Sequence, residues 1–312
     1  MQLAEVDDEG AIASAHYKSL EIINLINRQF LGREAAVRLA LITLVADGHL
    51  LIEDVPGSGK TSLSAALALA LGLQFNRIQC TNDLLPADVT GLSIFDRNTG
   101  QFTLKKGPVF TQILLADELN RAPSKTQSAL LQAMEERAVT LDSDTYDLPA
   151  PFLVIATQNP AEHIGTFDLP ESQLDRFSVS MEIGRPDGAI QRQILSRSQT
   201  MKIEATSVIT ADTFRDMQQT ALRIHCADEI LDYVIQLADK MEQVAQLSLS
   251  VRYREQLVKL AKARALIDGR AFVIPDDVQH MFAPSLRHRL HRLTEDARQS
   301  AVEDALGQVN LP

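Results

Sequence analysis

Short apolar runs alternate with helical patterns of apolar positions between residues 28 and about 187. The five runs are His49–Glu53, Arg77–Cys80, Ile113–Ala116, Leu153–Ala156 and Ser178–Ile183. Four of them contain almost no polar alternation, which is typical of strands buried on both faces in a parallel sheet covered by helices. We therefore predict an α/β domain with a mostly parallel sheet.

The pattern changes after the segment Gly184–Asp187. Residues 188–312 show only helical periodicity, with apolar residues three and four positions apart, and this predicts a small all-helical domain. Residues 1–27 read as an acidic lead followed by a helix. The predicted organisation is thus an N-terminal helical lead over 1–27, an α/β domain over 28–187 and a helical domain over 188–312.

Composition narrows the possible classes of protein. Hydrophobic residues make up 45% of the 312 positions and charged residues 23%, as in ordinary globular proteins. Thirty Lys and Arg against 41 Asp and Glu give a net charge of −11, which disfavours a general nucleic-acid binder. No apolar run reaches the ~18 residues of a membrane helix, and the N-terminus does not resemble a secretory signal. We expect a cytoplasmic protein without a membrane span.

A glycine-rich segment, residues 54–61, follows the first apolar run and opens a helical pattern. In this setting a P-loop binds phosphates through its backbone N–H groups and the helix N-terminus. Lys60 would reach the β- and γ-phosphates and Thr61 would ligate Mg²⁺. Asp54 stands where the pattern has glycine, and a turn without a ligand is the alternative. The predicted nucleotide-binding residues are Pro56, Gly57, Ser58, Gly59, Lys60, Thr61 and Ser62.

Two carboxylates, Asp117 and Glu118, end the buried run that begins at Ile113. A P-loop nucleotidase needs an Asp at a strand end to hold Mg²⁺. If this strand neighbours the one before the P-loop, Asp117 lies beside the metal. Glu118 would then orient and deprotonate a water. An acidic turn is the alternative, and the position of the pair after a P-loop favours the metal site.

Four segments together resemble the MoxR branch of the AAA+ ATPases. They are the P-loop, residues 113–137, LVIATQNP at 153–160 and LPESQLDRF at 169–177, and a weaker likeness continues over 250–278. The resemblance implies a P-loop AAA+ αβα domain with a parallel sheet, followed by an all-helical lid. It also implies ATP and Mg²⁺ as ligands.

The resemblance assigns further residues to the site. By similarity, Asn159 is sensor 1, Arg176 is an arginine finger that acts in the neighbouring subunit, and Arg252 is the sensor 2 arginine. The alternatives are a turn asparagine, a surface pair of Asp175 with Arg176, and a solvated helix-face arginine. The segment Phe30–Arg33 resembles the part of the family that lies beside the adenine, with an ordinary helix-entry turn as an equal alternative.

Two strand–turn–strand patterns interrupt the α/β order, at Gly91–Leu104 and Val139–Leu148. They resemble the helix-2 insert and the pre-sensor-1 hairpin of the clade that contains MoxR. Such inserts would project towards a ring pore or a partner. Passive surface hairpins are the alternative.

The resemblance favours an ATP-driven remodeller of proteins, built as a homo-hexameric ring with a von Willebrand factor A domain partner. A nucleic-acid motor and a magnesium-chelatase-like subunit of the same clade are the alternatives. The hairpin at 139–148 carries Asp142, Asp144 and Asp147 and no basic residue, which argues against a phosphate-tracking hairpin. A scaffold that binds ATP without turnover ranks last, because Glu118 and Arg176 are both present.

Overall fold

The computed structural model describes residues 2–55, 57–96, 100–142, 144–159, 165–196 and 207–312. Pro56 of the predicted P-loop, residues 97–99 of the first hairpin turn and Ser143 of the second lie outside the described residues.

Helices and strands alternate up to residue 181, and helices alone follow in the described ranges beyond it. The strands are β1 (His49–Glu53), β2 (Phe75–Gln79), β3 (Gly91–Asp96), β4 (Gln101–Lys106), β5 (Ile113–Asp117), β6 (Ala138–Leu141), β7 (Asp144–Asp147), β8 (Leu153–Gln158) and β9 (Phe177–Met181). The helices are α1 (Gln2–Gln29), α2 (Glu34–Val45), α3 (Lys60–Ala70), α4 (Pro86–Thr90), α5 (Ser124–Glu136), α6 (Glu171–Leu174), α7 (Gly188–Ser196), α8 (Ala211–Arg223), α9 (Asp228–Ala245), α10 (Val251–Ile267), α11 (Pro275–Leu286) and α12 (Glu295–Gln308).

The five predicted apolar runs form one parallel sheet in the order β2-β5-β8-β1-β9. Strand ends differ from the prediction by at most two residues. Successive side chains of β1 enter different hydrophobic clusters: Leu50 and Ile52 join one and Leu51 joins the other. Both faces of the strand are therefore buried, which explains why its sequence lacks polar alternation.

Both predicted hairpins are present as antiparallel pairs, β3 with β4 and β6 with β7. The first follows α4, and the second lies between α5 and β8. Neither joins the five-stranded sheet among the described residues, so each is an insert on the α/β scaffold.

The N-terminal segment is one helix, α1, and the expected acidic lead before the helix was wrong. The positive end of a helix dipole favours acidic residues, so an acidic composition does not exclude a helical start. Ile22 and Ile26 of α1 are buried in the same cluster as Leu257 of α10. Within the described residues, no helix combines the length and the apolar composition needed to cross a membrane.

Candidate nucleotide-binding site

The P-loop connects β1 to α3 at the carboxyl end of the parallel sheet. Gly57 and Gly59 have φ values of +80° and +96°, in the left-handed region that glycine adopts without strain. A Cβ atom on Gly59 would also lie 2.8 Å from the ring of Phe30. The backbone path of the loop before α3 therefore favours glycine at both positions.

Two polar side chains of the loop, those of Lys60 and Ser58, are buried near the N-terminus of α3. Lys60 is buried, and its ammonium donates to the Asp54 carbonyl at 2.5 Å. Burial lowers the pKa of Lys60, while the charges of Asp54, Asp117 and Glu118 raise it. The Ser58 hydroxyl is buried and has no hydrogen-bond partner among the described residues. The half-buried Thr61 and the exposed Ser62 follow at the start of α3.

Asp54, which replaces the first glycine of the pattern, is accommodated without strain. It is not among the residues with positive φ, so the position does not require glycine here. Its carboxylate instead accepts the backbone N–H groups of Ile183 at 3.0 Å and Gly184 at 2.9 Å. Asp54 therefore ties the entry of the P-loop to the segment that leaves β9 for the helical part of the chain.

The strand of the acidic pair does not neighbour the P-loop strand, because β8 lies between β5 and β1. We expected Asp117 beside the metal if the two strands were neighbours, and that condition is wrong. The pair nevertheless lies near the P-loop, since the charges of both carboxylates act on Lys60. All three strands are parallel, so their carboxyl ends meet at one edge of the sheet.

Thr157 of β8 joins the two carboxylate residues. Its buried hydroxyl donates to Asp117 Oδ1 at 2.6 Å and accepts the N–H of Glu118 at 2.9 Å. Asp117 Oδ2 is paired with Arg77 at 2.7 Å. Glu118 has a φ of +57°, and its Oε2 atom accepts from Gln79 at 3.0 Å. The Thr157 hydroxyl thus holds the Asp117 carboxylate and the Glu118 backbone in place.

Two further predicted segments lie at the same edge. Asn159 directly follows β8, between the P-loop strand and the acidic strand, and is half-buried. Arg33 donates to the Ser58 carbonyl, and its guanidinium lies 5.0 Å from the centre of the Phe30 ring. A Cβ atom on Gly32 would collide with Ile190 of α7. The segment Phe30–Arg33 therefore packs directly on the P-loop.

The two predicted arginines lie together at the opposite edge of the sheet. Arg176 precedes β9, and β9 runs parallel to β1 with Phe177 opposite His49. Since a strand rises ~3.3 Å per residue, the length of β1 places this edge about 15 Å from the P-loop edge. Arg176 and Arg252 both pair with Glu135, at 2.8 Å and 2.6 Å. The hydrogen bond from Arg252, and after it the charges of both arginines, lower the pKa of Glu135. Arg252 is thus beside Arg176 and away from the P-loop of its own chain.

The comparisons agree with this geometry. Residues 49–179 match the model of the ATPase family associated with various cellular activities (AAA), and residues 241–306 match the AAA lid domain. Over 300 residues the chain is 37% identical to chaperone MoxR1 of Mycobacterium tuberculosis, covering 93% of this chain and 79% of that protein. The chain belongs to the MoxR family of AAA+ ATPases.

Two further comparisons also cover most of this MoxR-family chain. It is 44% identical over 269 residues to the protein YeaC of Bacillus subtilis, with 85% of this chain and 84% of that protein covered. The chain also superimposes on the crystal structure of a protein from Cytophaga hutchinsonii that is described as an ATPase. The TM-score is 0.89 and the sequence identity is 32%. The superposition covers 100% of this chain and 99% of that one.

Sequence reasoning missed three polar residues of this MoxR-family site: Arg77, Gln79 and Thr157. Each contacts the acidic pair from a neighbouring strand, 39 or 40 positions away along the chain. Thr157 directly follows the apolar run Leu153–Ala156, and a polar side chain at the end of a buried run is the feature that could have marked it.

Proposed function

We propose that this MoxR-family protein hydrolyses ATP with Mg²⁺ at the interfaces of a homo-hexameric ring and uses the reaction to remodel or activate a partner protein. One observation carries the proposal. The P-loop and Glu118 occupy one edge of the sheet, whereas Arg176 and Arg252 occupy the other. A subunit of this shape completes its site with arginines from a neighbour.

The described residues fit a nucleotide with Mg²⁺. The unpartnered Ser58 hydroxyl and the Lys60 ammonium lie at a helix N-terminus, where backbone N–H groups favour phosphate. Asp117 pairs with the cation of Arg77, so its carboxylate already binds a positive charge. Thr61 and Asp117 would hold Mg²⁺, whose charge neutralises the phosphates during transfer. Lys60 would exchange the Asp54 carbonyl for a phosphate oxygen.

Glu118 and Asn159 act on the attacking water in this proposal. The Glu118 carboxylate takes the proton, and the Asn159 amide holds the water or the γ-phosphate. Glu118 has a left-handed backbone, and its N–H donates to Thr157. We infer that its side chain therefore leaves the backbone in a different direction from that of Asp117. One carboxylate is therefore left for the metal and the other for the water.

Arg176 and Arg252 act on the phosphate of the adjacent subunit. An arginine finger stabilises charge in the transition state and contributes roughly 10³–10⁵ in rate. Glu135 holds both guanidinium groups in one place in the isolated chain. A bound phosphate in the neighbour would compete with Glu135 for the same positive charges.

The exposed surface of the first hairpin supports a protein as the substrate. Leu92, Ile94, Phe95 and Phe102 are between 42% and 71% exposed, and the two phenylalanine rings lie 5.2 Å apart. Clusters of exposed apolar side chains commonly mark protein-binding surfaces. The relative MoxR1 is named a chaperone. We propose a von Willebrand factor A domain protein as the cytoplasmic partner, as the family resemblance leads us to expect.

The proposal is tested by separating binding from turnover. Lys60→Ala removes the cation that contacts the phosphates, so the affinity for a fluorescent ATP analogue should fall at least ~100-fold. Arg176→Ala should keep that affinity within about twofold and lose roughly 10³ in turnover. Arg292, which is 77% exposed and pairs with Glu171, provides the control Arg292→Ala, which should change neither quantity. Loss of affinity in Arg176→Ala, or unchanged turnover, would contradict the split site.

A further inference from the structure

Arg289 of the helical lid holds the backbone on both sides of Arg176. Its Nε and Nη2 atoms contact Asp175 Oδ1 at 3.0 Å and 2.9 Å. Nη2 also donates to the carbonyls of Asp175 and Phe177, at 3.3 Å and 3.2 Å. The Arg289 side chain thus forms hydrogen bonds with the residue before Arg176 and with the residue after it.

Arg289 is itself fixed by the helix that carries Arg252. Its guanidinium lies 4.9 Å from the centre of the Tyr253 ring and donates to Gln256 Oε1 at 3.0 Å. The side chain is 8% exposed, and Tyr253 is fully buried. Since both partners belong to α10, a movement of α10 would displace Arg289 with it.

A second bond joins α10 to the same aspartate. Ser250 caps α10 by accepting the N–H of Tyr253, and its hydroxyl donates to Asp175 Oδ2 at 3.1 Å. The two carboxylate oxygens of Asp175 therefore receive separate bonds from the lid. Asp175 precedes Arg176 by one residue, and Ser250 precedes Arg252 by two.

We propose that Arg289 is a positioning residue that transmits the placement of the lid, through Asp175, to the arginine finger Arg176. The proposal rests on the trans-acting role of Arg176 under the proposed function. A buried guanidinium with several charge-assisted bonds has one preferred geometry. Displacement of a catalytic group by about 1 Å costs on the order of 100-fold in rate, so this geometry controls turnover in the neighbouring subunit.

The test uses Arg289→Lys, which keeps the charge and loses the fork of donors, with Arg292→Lys as the matched exposed control. Arg289→Lys should lower kcat by roughly 10- to 100-fold and leave the affinity for the ATP analogue and KM within twofold. Arg292→Lys should behave as the parent. Unchanged kcat in Arg289→Lys, or an equal loss in both variants, would overturn the proposal.

Mixing experiments show which half of the site is damaged. Glu118→Gln chains contribute an intact finger, so mixing them with Arg289→Lys should restore turnover beyond the sum of the separate proteins. Arg176→Ala chains lack the same half, so mixing them with Arg289→Lys should restore nothing. A general loss of structure in Arg289→Lys would damage its own P-loop, and Glu118→Gln chains would then give no rescue, which overturns the proposal.

A milder variant decides the matter if Arg289→Lys does not fold, as judged by circular dichroism. Ser250→Asp keeps an acceptor at the N-cap of α10 but places a negative charge against Asp175. It should show the same kcat loss with unchanged affinity, and the same pattern of rescue. Normal turnover in Ser250→Asp would contradict the lid-to-finger connection. If Glu118→Gln and Arg176→Ala chains do not rescue each other, the proposed function fails independently of Arg289.

Discussion

The two edges of the parallel sheet differ in how their functional residues are held. At the carboxyl edge, the P-loop is positioned by its own glycines and by the helix that follows it, within one short segment of the chain. At the amino edge, Arg176 and Arg252 come from distant segments and meet on Glu135 of a third. The P-loop itself is a local motif, whereas the placement of Arg176 and Arg252 depends on how the lid packs against the sheet.

If the proposed function holds, this difference separates the residues that control turnover from those that bind the nucleotide. Under the proposed function, phosphate binding at the carboxyl edge depends on the P-loop and the N-terminus of α3. Ser250 and Arg289 of the lid contact Asp175, next to the proposed finger, so we infer that the position of the lid affects the amino edge. We therefore expect variants at the carboxyl edge to affect nucleotide binding or chemistry in their own subunit. Variants at the amino edge should affect turnover in the neighbouring subunit.

Glu118→Gln should have the largest effect on chemistry alone. The substitution keeps the shape of the side chain and removes the proposed base, so turnover should fall by roughly 10²–10⁴ while the affinity for ATP is unchanged. Stopped-flow measurement of phosphate release, with analogue binding as the control, checks it. Turnover within threefold of the parent would place the base at another residue.

Thr157→Val should have an intermediate effect. It tests the role of β8, which lies between the P-loop strand β1 and the acidic strand β5. Valine has nearly the shape of threonine but lacks the hydroxyl that joins Asp117 to Glu118. Loss of that buried bond costs about 1–3 kcal/mol locally and should lower turnover about tenfold. Steady-state ATPase assays measure the change. The matched control Thr145→Val, on the exposed face of β7, should leave turnover unchanged.

Sequence alone predicted that the P-loop and the acidic pair lie at the ends of buried strands. The glycines, Lys60 and the acidic pair lie next to apolar runs, and those runs predict strands whatever their order in the sheet. It did not predict that β8 separates the two active strands, because an apolar run records burial and not neighbours. Nor did it predict Thr157 or Arg289, whose roles arise from contacts across 40 and 114 positions of the chain. Asp54 departed from the pattern for a reason visible only in its bonds to Ile183 and Gly184.

The smallest expected effect concerns stability at the amino edge. His49 is buried near Arg252, and burial, with the charge of Arg137, lowers its pKa to about 3. The unfolded chain has a histidine pKa of about 6.5 and binds more protons between these values. The stability contributed by neutral His49 is therefore complete above about pH 6.5 and falls, by up to about 1.4 kcal/mol per pH unit, as the pH drops towards 3.

Chemical denaturation at pH 7 and pH 5 measures this dependence. His49→Asn keeps an acceptor for the Val154 N–H, which His49 Nδ1 accepts at 3.0 Å, and removes the titrating group. The variant should lose less stability between the two pH values than the parent does. Equal losses in both proteins would show that His49 does not contribute to the pH dependence.

The central claim is that each active site is shared between two chains, and mixing two inactive variants tests it most directly. Arg176→Ala lacks the finger but keeps its own P-loop edge, and Glu118→Gln lacks the base but keeps its own finger. Mixed under exchanging conditions, they form some interfaces in which one chain supplies Glu118 and the other supplies Arg176. The account predicts ATP turnover well above that of either protein alone, rising with the fraction of mixed interfaces. Mixed assemblies that exchange subunits and stay inactive would contradict it.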